Sequence, residues 1–470
     1  MKHTDIIQKL NLEQKCALLS GETVFTTRAL PGKGIPAITL SDGPNGVRKQ
    51  AGAADHLGLN PSVPATCFPT SSATACSWDE KLGEAVGEAL GEEAAAQEVA
   101  VLLGPGLNIQ RSPLCGRDFE YFSEDPILAG RMAAAYVRGI QKNGIAACPK
   151  HFAVNSQELR RMASDSVLDE RTLRELYLTG FEIVVKEAKP KTIMTSYNLI
   201  NGTYANENAH LLQDILRKDW DFDGAVVTDW GGSNDHALGV KNGSTLEMPC
   251  PGGDSIRELM KAVQGGKISE ADVDARLDEM LELVLSTHAA VEKAPRTFDA
   301  AAHHKLARRA AAESIVLLRN EGGILPLKPN EKLAVIGDFA ETPRYQGAGS
   351  SAVNALQVDT LLESIKADDS GITLVGYASG FERQGAADAE KLEEAVALAK
   401  KADTVLLCLG LDELRESEGL DRSDMKLAEN QQQLLAAVAA VNPNVVVLLS
   451  AGAPVETPWV GQCRALVYGA

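Results

Sequence analysis

The chain has 470 residues, of which 44% are hydrophobic and 23% charged, as in a typical folded globular protein. This length predicts two to three domains. The net charge of −18, from 46 basic and 64 acidic residues, argues against a nucleic-acid or anionic-membrane binder, since no basic stripe would neutralise phosphates. The longest apolar run, 434–455, is broken by Asn442-Pro443-Asn444, so no membrane span is predicted. We therefore expect a neutral small-molecule substrate, no nucleic acid and no membrane partner.

The amino-terminal segment 1–21 lacks the basic region and apolar block of a signal peptide. The eight cysteines are scattered singly with no CxxC pair, so neither a zinc site nor a disulfide framework is predicted. We expect a reducing, cytoplasmic location.

Short apolar runs alternate with amphipathic helical segments from Ile35 to Leu285. The predicted strands are 36–42, 99–108, 145–152, 192–198 and 224–230. Helical segments such as 79–98 and 169–188 lie between them. This alternation favours parallel strands joined by crossover helices.

Each of these apolar runs ends in a polar side chain: Asp42, Asn108, Lys150-His151, Tyr197-Asn198 and Asp229. In a β/α barrel the carboxyl ends of the strands converge on one face, where active sites are built. The pattern therefore predicts an N-terminal (β/α)8-type, TIM-like barrel with its site on that face.

A polar, Ala-rich segment follows, and a second α/β pattern begins after it. Its predicted strands are 332–338, 372–379, 403–411, 444–452 and 465–470. We assign 1–285 to the barrel domain, 286–315 to a linker, and 316–470 to an α/β sandwich domain with a mostly parallel sheet. The last strand has no closing helix after it, so we expect this domain to be incomplete at its C-terminal end. The alternatives for a protein partner are a homo-oligomer and a second polypeptide that completes the domain.

Several ordered motifs carry a family resemblance. They are SDGPNGVR (41–48), GRDFEYFSEDP (116–126), KHFAVNSQELRR (150–161), TSYN (195–198), VVTDW (226–230) and ESEGLDR (416–422). In this order they resemble glycoside hydrolase family 3, and within it the β-glucosidases. The resemblance covers essentially the whole chain and implies a barrel followed by an α/β sandwich, a retaining mechanism and no cofactor.

Hydrolysis with retention requires two carboxyl groups about 5 Å apart, a nucleophile and a proton donor. Asp229 ends an apolar strand, and the glycines at 231 and 232 would leave space for a sugar ring. From the residues alone, a cap of the following helix is an equal alternative for Asp229. The resemblance implies that Asp229 is the nucleophile.

The resemblance places the acid/base partner in the second domain, at Glu418 of ESEGLDR. Closing the site against water would raise the pKa of Glu418 until a leaving group is present. Glu416 is a rival for this role, and the alternative for the whole segment 412–424 is a solvated charged face.

The resemblance also implies a set of sugar-binding side chains. Asp42 would accept the outer hydroxyls, and the basic residues that bind hydroxyls would be Arg117, Lys150, His151 and Arg161. Taken alone, Asp42 is typical of an Asp-Gly-Pro turn, and each basic residue of a surface charge or a core histidine. The Lys-His pair at a strand end argues against this, because burying it requires partners.

Three further residues are assigned to the same pocket by the resemblance. Tyr197 would hydrogen-bond the carboxylate of the nucleophile, and Met194 would be an apolar contact, although Met194 alone predicts a core position. Trp230 is either a wall facing the sugar or a cover for the barrel rim. Asp118 and Glu120 are interpreted as ordering the Arg117 loop.

Two other features have competing interpretations. Segment 334–353 is Gly-rich after a strand but lacks the GxGxxG and GxxxxGK[ST] spacings, so a structural or substrate-lining loop is favoured over a nucleotide site. The pair His303-His304 has no nearby set of carboxylates or cysteines, so no metal site is predicted.

The sequence thus predicts a retaining, exo-acting β-glucosidase that hydrolyses a small-molecule β-glucoside or oligosaccharide without cofactor or metal. The alternatives are a β-xylosidase or β-N-acetylhexosaminidase of the same family and a non-catalytic sugar-binding protein. The SDGP motif argues against the xylosidase branch, and the form of the KH motif argues against the hexosaminidase branch.

Overall fold

The computed structural model describes residues 1–52, 60–250 and 252–469. In its first part the strands are β1 (Leu40–Asp42), β2 (Val101–Leu103), β3 (Ala146–Ala147), β4 (Asp165–Ser166), β5 (Thr192–Met194), β6 (Leu199–Ile200), β7 (Thr203–Tyr204) and β8 (Ala225–Val227). The α-helices are α1 (Thr4–Ile7), α2 (Leu12–Ala17), α3 (Ser71–Ala75), α4 (Glu80–Ala96), α5 (Pro126–Gln141), α6 (Glu170–Thr172), α7 (Thr179–Ala188), α8 (His236–Asn242), α9 (Asp254–Gln264) and α10 (Glu270–Lys293). Two π-helical segments, Leu173–Leu178 and His210–Asp219, and short 3-10 turns at Pro31–Lys33, Asp118–Glu120 and Ala205–Glu207 complete this part.

Parallel strands are found in every segment predicted as a strand in the first part. β1, β2 and β3 form one parallel sheet, and β5 pairs with β8 in parallel. Single parallel bridges, Phe152 to Thr195, Val227 to Leu246 and Ser20 to Glu247, extend the pairing between these strands and beyond β8. The strands are short and fully buried runs such as Val101–Leu103, as expected of parallel strands covered by helices.

The helices of the first part pack closely where glycines face each other. A Cβ on Gly87 of α4 would lie 2.4 Å from the carbonyl oxygen of Tyr136, and one on Gly139 of α5 would lie 2.2 Å from that of Glu84. The backbones of α4 and α5 are therefore in direct contact, which any larger residue at these positions would prevent. α5 also packs against β3.

The second part is built on one six-stranded sheet. Its elements are α11 (Ala300–Ser314), β9 (Val316–Asn320), β10 (Lys332–Ile336), α12 (Leu361–Lys366), β11 (Thr373–Ala378), α13 (Ala389–Ala399), β12 (Thr404–Gly410), α14 (Glu429–Val441), β13 (Val445–Ser450) and β14 (Ala465–Gly469), with 3-10 turns at Glu321–Gly323, Asp338–Ala340 and Val460–Gln462. The strand order is β11-β10-β12-β13-β14-β9, and every pair is parallel except the antiparallel β14 and β9. The mostly parallel sheet is as predicted; Ala470, at the end of the last predicted strand, lies outside the described residues.

Two features of the second part differ from the sequence-based expectation. The segment taken as a linker contains α11, because its Ala-rich sequence has high helix propensity and Asp299 Oδ1 accepts a hydrogen bond from the Ala302 N–H at 2.9 Å as a cap. Strand β9 was not predicted, since it is an edge strand and its Leu317 and Leu318 are 52% and 57% exposed.

The hydrophobic core is divided into one cluster under the first part and another around the six-stranded sheet. Within the described ranges, none of the helices combines the length and apolar character needed to cross a bilayer.

Candidate active site

One cavity of about 260 Å³ collects all the side chains that the sequence predicted for the site. It lies at the carboxyl ends of β1, β5 and β8 and is bounded on the other side by loops of the second part. Its lining residues are Phe25, Asp42, Arg48, Gln50, Arg117, Lys150, His151, Arg161, Met194, Tyr197, Asp229, Trp230, Gly349, Ser350, Glu418 and Gly419. A separate cavity of about 290 Å³ beside α11 is mainly apolar and holds none of the predicted site residues.

Asp229 lies two residues after the end of β8 and is 9% exposed. Its Oδ1 accepts a hydrogen bond from the Trp230 N–H at 2.7 Å, and its Oδ2 lies 3.7 Å from His151 Nε2. Burial raises the pKa of Asp229, and the charges of Arg161 and Arg117 oppose that rise. The helix-cap alternative applies to a different residue, because the cap of α8 is Asp235, whose Oδ1 accepts from the Leu238 N–H at 2.9 Å.

The glycines after Asp229 do not provide the space that the sequence suggested. Neither Gly231 nor Gly232 lines the cavity. Gly231 instead has φ +80°, a conformation that favours glycine, and its N–H donates to the Met248 carbonyl at 2.9 Å. The glycines that border the cavity are Gly349 and Gly419, both from the second part.

Glu418 reaches the cavity from the loop after β12. Its Oε1 accepts a hydrogen bond from Arg161 Nη1 at 2.8 Å and lies 3.5 Å from Arg117 Nη1. Its Oε2 accepts from the Ser350 backbone N–H at 2.8 Å and from Ser350 Oγ at 2.5 Å.

The pKa of Glu418 is shifted in the direction opposite to the expectation. Burial would raise it, but Arg117 and Arg161, with the hydrogen bonds from Ser350, hold the pKa well below its usual range. The expected raised pKa of Glu418 is therefore wrong, since the shift is downward. Two cations from the first part, Arg117 and Arg161, stabilise the Glu418 carboxylate.

Glu416 points away from the cavity, although it is only two residues from Glu418. It is 2% exposed, and its Oε2 lies 3.2 Å from Arg344 Nη2. Burial raises its pKa, with Arg344 and Arg422 opposing the rise. Glu416 is buried and Glu418 is partly buried at the cavity, so these two glutamates are not part of a solvated charged face.

Asp42 ends β1 and contributes its carboxylate to the cavity wall. Burial raises its pKa to about 6, while the charge of Lys150 acts in the opposite direction. Lys150 is itself 2% exposed at the same mouth. An acceptor carboxylate and an ammonium thus line one wall, an arrangement able to hold neighbouring hydroxyls.

Arg117 and His151 are fixed by buried partners. Arg117 Nε is paired with Glu120 Oε1, so Glu120 orders the Arg117 side chain as expected. The Nδ1 atom of His151 is 3.1 Å from the hydroxyl of Tyr121, and burial together with the charge of Arg117 keeps the pKa of His151 well below its usual value. A neutral imidazole therefore faces Asp229.

Tyr197 and Trp230 are oriented by backbone carbonyls. The Tyr197 hydroxyl donates to the Trp230 carbonyl at 2.9 Å. Burial, the charge of Asp229 and a side-chain hydrogen bond with Asp229 raise the pKa of Tyr197 well above its usual value. Trp230 Nε1 donates to the Val24 carbonyl at 2.8 Å, and its ring lies 5.3 Å from that of Phe25. Met194, at the end of β5, is 2% exposed and also contacts the cavity.

Several lining residues were not singled out from the sequence. Arg48, Ser350 and Gly419 belong to segments that were noted, namely SDGPNGVR, the Gly-Ser-rich loop and ESEGLDR. The Gly-Ser-rich loop lines the cavity, in agreement with the preferred interpretation of 334–353. Phe25 and Gln50 carried no pattern that would have identified them.

The expectation that His303 has no carboxylates near it is wrong. Its Nδ1 lies 2.7 Å from Glu93 Oε1 and its Nε2 3.3 Å from Glu92 Oε2, carboxylates far away in sequence. These contacts dock α11 on α4. In the part of the chain that the structure describes, no group of three or more ligating side chains suits a metal ion.

The arrangement combines two carboxylates from different parts of the chain with a ring of cations and acceptors. Such a cavity can grip a polyhydroxylated ring through charge-assisted hydrogen bonds. Two carboxyl groups that line the same cavity are also what glycoside hydrolysis requires.

Comparisons with known proteins agree with this geometry. Residues 48–283 match the model of the glycosyl hydrolase family 3 N terminal domain, and residues 315–470 match that of the glycosyl hydrolase family 3 C-terminal domain. The chain is 46% identical to the thermostable beta-glucosidase B of Acetivibrio thermocellus over 98% of its length and 61% of the relative's. It is 44% identical to the exo-α-(1→6)-L-arabinopyranosidase of Bifidobacterium longum, covering 98% of this chain and 62% of that one.

The crystal structure of the Bifidobacterium adolescentis GH3 beta-glucosidase superposes with a TM-score of 0.92 at 42% identity, covering 98% of this chain and 66% of that one. The chain therefore spans about three fifths of the length of the curated relatives named here.

Proposed function

The chain belongs to glycosyl hydrolase family 3, and from that premise we propose that it is a retaining, exo-acting β-glucosidase that removes terminal β-D-glucosyl residues. The observation that carries the proposal is that Asp229 and Glu418, from the two parts of the chain, line the same cavity together with Asp42, Lys150 and Arg161. A sugar-binding protein without turnover has no need of this second carboxylate.

In the proposed mechanism Asp229 attacks the anomeric carbon, and a carboxylate–carbon bond forms as the bond to the leaving oxygen breaks. Glu418 gives its proton to that oxygen. In the second half, Glu418 takes a proton from water, whose oxygen displaces Asp229 at the anomeric carbon and restores both groups. The chemistry requires no cofactor.

The remaining predicted residues are proposed to bind the sugar. Asp42 accepts hydrogen bonds from outer hydroxyls, Lys150 and Arg117 donate to hydroxyl oxygens, and His151 can donate or accept. Trp230, with Phe25 beside it, forms the proposed apolar wall. Met194 and Tyr197 shape the floor beneath the nucleophile. Arg161 donates a hydrogen bond to Glu418 and so holds it in place.

The finer architecture is also proposed. We take the first domain, 1–285, to be a TIM-like (β/α)8-type barrel, supported by the parallel pairs and bridges that run from β1 to Glu247. The linker is 286–315 and the sandwich domain 316–470. A cytoplasmic location is proposed because the cysteines are widely spaced in the sequence and are free thiols in the structure.

The sugar itself is a proposal with a specific competitor, because one relative is named for α-L-arabinopyranoside hydrolysis. A panel of 4-nitrophenyl β-glucoside, β-xyloside, β-N-acetylglucosaminide and α-L-arabinopyranoside discriminates between them. We expect the highest kcat/KM on the β-glucoside. A higher value on another member of the panel would replace the proposed sugar by that one.

Trapping tests the nucleophile. A 2-deoxy-2-fluoro-β-glucoside with a good leaving group accumulates the covalent intermediate, and mass spectrometry of the digest should find the label on Asp229. The Asp229→Asn variant should take no label. A label on another residue would refute the assignment.

A matched pair of variants tests the acid/base. Glu418→Ala should lose turnover of poor leaving groups and recover it with azide, forming β-glucosyl azide, since a small anion replaces the missing carboxylate. Glu416→Ala, with the same chemistry removed two residues away, should form no azide product. Azide rescue of Glu416→Ala alone would transfer the role to Glu416.

A further inference from the structure

The loop that carries Glu418 is fastened to the first domain beside the cavity. The carboxylate of Asp421 accepts hydrogen bonds from the backbone N–H groups of Glu158 at 3.0 Å, Leu159 at 2.8 Å and Gly116 at 3.2 Å. All three donors belong to the first domain. Three N–H groups converging on one carboxylate form a strong, geometrically specific contact.

A second carboxylate makes the same kind of contact in the opposite direction. Glu158, 3% exposed, accepts from the backbone N–H of Gly419 at 2.8 Å through its Oε2. The same oxygen accepts from Arg161 Nη1 at 2.8 Å, and Arg161 Nη1 also donates to Glu418. Glu158 therefore holds both the residue after Glu418 and the cation that pairs with Glu418.

The two backbones are also in close contact at this point. A Cβ on Gly116 would lie 1.7 Å from the carbonyl oxygen of Leu420 and 2.4 Å from that of Ser417. No side chain fits between the loops, so the carboxylates act across a tight junction and not across a solvent layer.

We propose that Asp421 and Glu158 form a reciprocal latch between the domains that positions Glu418 for proton transfer. The latch rests on the proposed role of Glu418 as the acid/base. Each acid holds backbone N–H groups of the other domain, and the two contacts lie on the C-terminal side of Glu418, at Gly419 and Asp421. Asp421 and Glu158 are positioning residues, since neither lines the cavity.

The latch predicts that removing either carboxylate slows the hydrolysis of substrates with poor leaving groups more than that of substrates with good ones. Protonation is required for a poor leaving group such as phenol and is dispensable for 2,4-dinitrophenol. In Asp421→Asn and Glu158→Gln, kcat/KM on phenyl β-glucoside should fall about 100-fold, as expected when a catalytic group is misplaced by about 1 Å. The value of kcat/KM on the dinitrophenyl β-glucoside, which reports the step that needs no proton donor, should stay nearly unchanged. An equal fall on both substrates, or none on either, would overturn the proposal.

Asp424→Asn is the matched control. Asp424 lies on the same loop, but its Oδ1 accepts from the Lys426 N–H at 2.8 Å and lies 3.3 Å from Arg415 Nη1, contacts within the second domain. Its leaving-group dependence should equal that of the wild type. A defect in Asp424→Asn like that of Asp421→Asn would contradict a specific latch.

Hydrogen exchange tests the latch independently of activity. Peptides covering 156–161 and 416–422 should both lose protection in Asp421→Asn, because its N–H partners lie in one peptide and its own loop in the other. Unchanged exchange in both peptides refutes the latch. If the wild type hydrolyses none of the glycosides, the proposed function fails, and the exchange result still decides the latch.

Discussion

At the scale of single residues, the pKa values of the two carboxyl groups are shifted in directions opposite to those that the proposed roles require. Burial raises the pKa of Asp229, the proposed nucleophile, whereas Arg117 and Arg161 keep that of Glu418, the proposed acid, well below its usual range despite burial. A sugar that displaces Arg161 from Glu418 would raise the pKa of Glu418, because this carboxylate would lose its closest cation. Substrate binding and proton placement would then be coupled.

Removing Arg161 should move the pH profile of the enzyme. In Arg161→Met the cation no longer stabilises either carboxylate, so the pKa values of Asp229 and Glu418 both rise. Both limbs of the kcat/KM profile should shift to higher pH by about 1 unit.

Arg160→Met is the matched control for this shift. Arg160 is the exposed neighbour of Arg161 and does not line the cavity, so its profile should match the wild type. A profile of Arg161→Met that coincides with the wild type would show that Arg161 does not act on the reacting carboxylates.

At the scale of elements, the loop after β10 shapes the acid/base as much as the loop that carries it. Gly349 has φ +122°, and a Cβ there would lie 2.4 Å from the Cβ of Glu418. The next residue, Ser350, supplies two hydrogen bonds to the Glu418 carboxylate. The Gly-rich loop, whose sequence resembles a nucleotide site, therefore packs against Glu418 and hydrogen-bonds its carboxylate.

Gly349→Ala should displace Glu418 while the domain remains folded. We expect kcat/KM on phenyl β-glucoside to fall about 100-fold, with a loss of about 1 kcal/mol in the free energy of unfolding from the strained φ. Thermal melting and initial rates measure the two effects.

The control is Gly461→Ala, where an added Cβ meets nothing within 4 Å. It should behave as the wild type in both measurements. Unaltered activity in Gly349→Ala would contradict this prediction, because the added Cβ would then be accommodated without a loss of function.

The helices and strands also differ in how well they can be predicted from their sequences. Most of the parallel strands of both domains are buried and have apolar sequences, so they were predicted. The parallel pair of β4 and β6 was not, because Asp165 and Ser166 of β4 are polar and partly exposed. Strand β9 pairs only with β14 and leaves Leu317 and Leu318 exposed, and α11 lies in a polar Ala-rich segment. Neither pattern distinguishes these elements from a linker until the pairing partner is known.

At the scale of the whole molecule, α11 joins the two domains and is held by a buried histidine. Burial alone would lower the pKa of His303, but the hydrogen bond and charge of Glu93, with Glu92, raise it. A pKa raised in the folded state contributes stability below the unfolded value of about 6.5. That contribution is lost as the pH rises through the folded pKa.

His303→Gln should therefore destabilise the protein in a pH-dependent way. We expect the wild type to exceed the variant by about 1–2 kcal/mol at pH 6 and the difference to shrink as the pH rises above 6.5. Thermal melting at pH 6 and pH 9 measures it.

His288→Gln is the matched control, because His288 is a more exposed histidine paired with Glu292 on α10 alone. The stability difference between the wild type and His288→Gln should not shrink between pH 6 and pH 9 in the way predicted for His303→Gln. A difference for His303→Gln that stays constant with pH would exclude protonation of His303 as its cause.

The sequence by itself determined the two α/β patterns, the parallel strands and the identity of the polar residues at their ends, because burial periodicity and strand-end chemistry are local properties of the chain. It also singled out Asp229 and Glu418, but only through the order of the motifs. The tertiary structure decided which glutamate faces the cavity, which aspartate caps α8, and that Glu418 is paired with Arg161. These outcomes depend on contacts between residues hundreds of positions apart, such as Glu158 with Gly419, and on the burial that such contacts create. No local pattern encodes them, since each arises only when the two domains close over the same cavity.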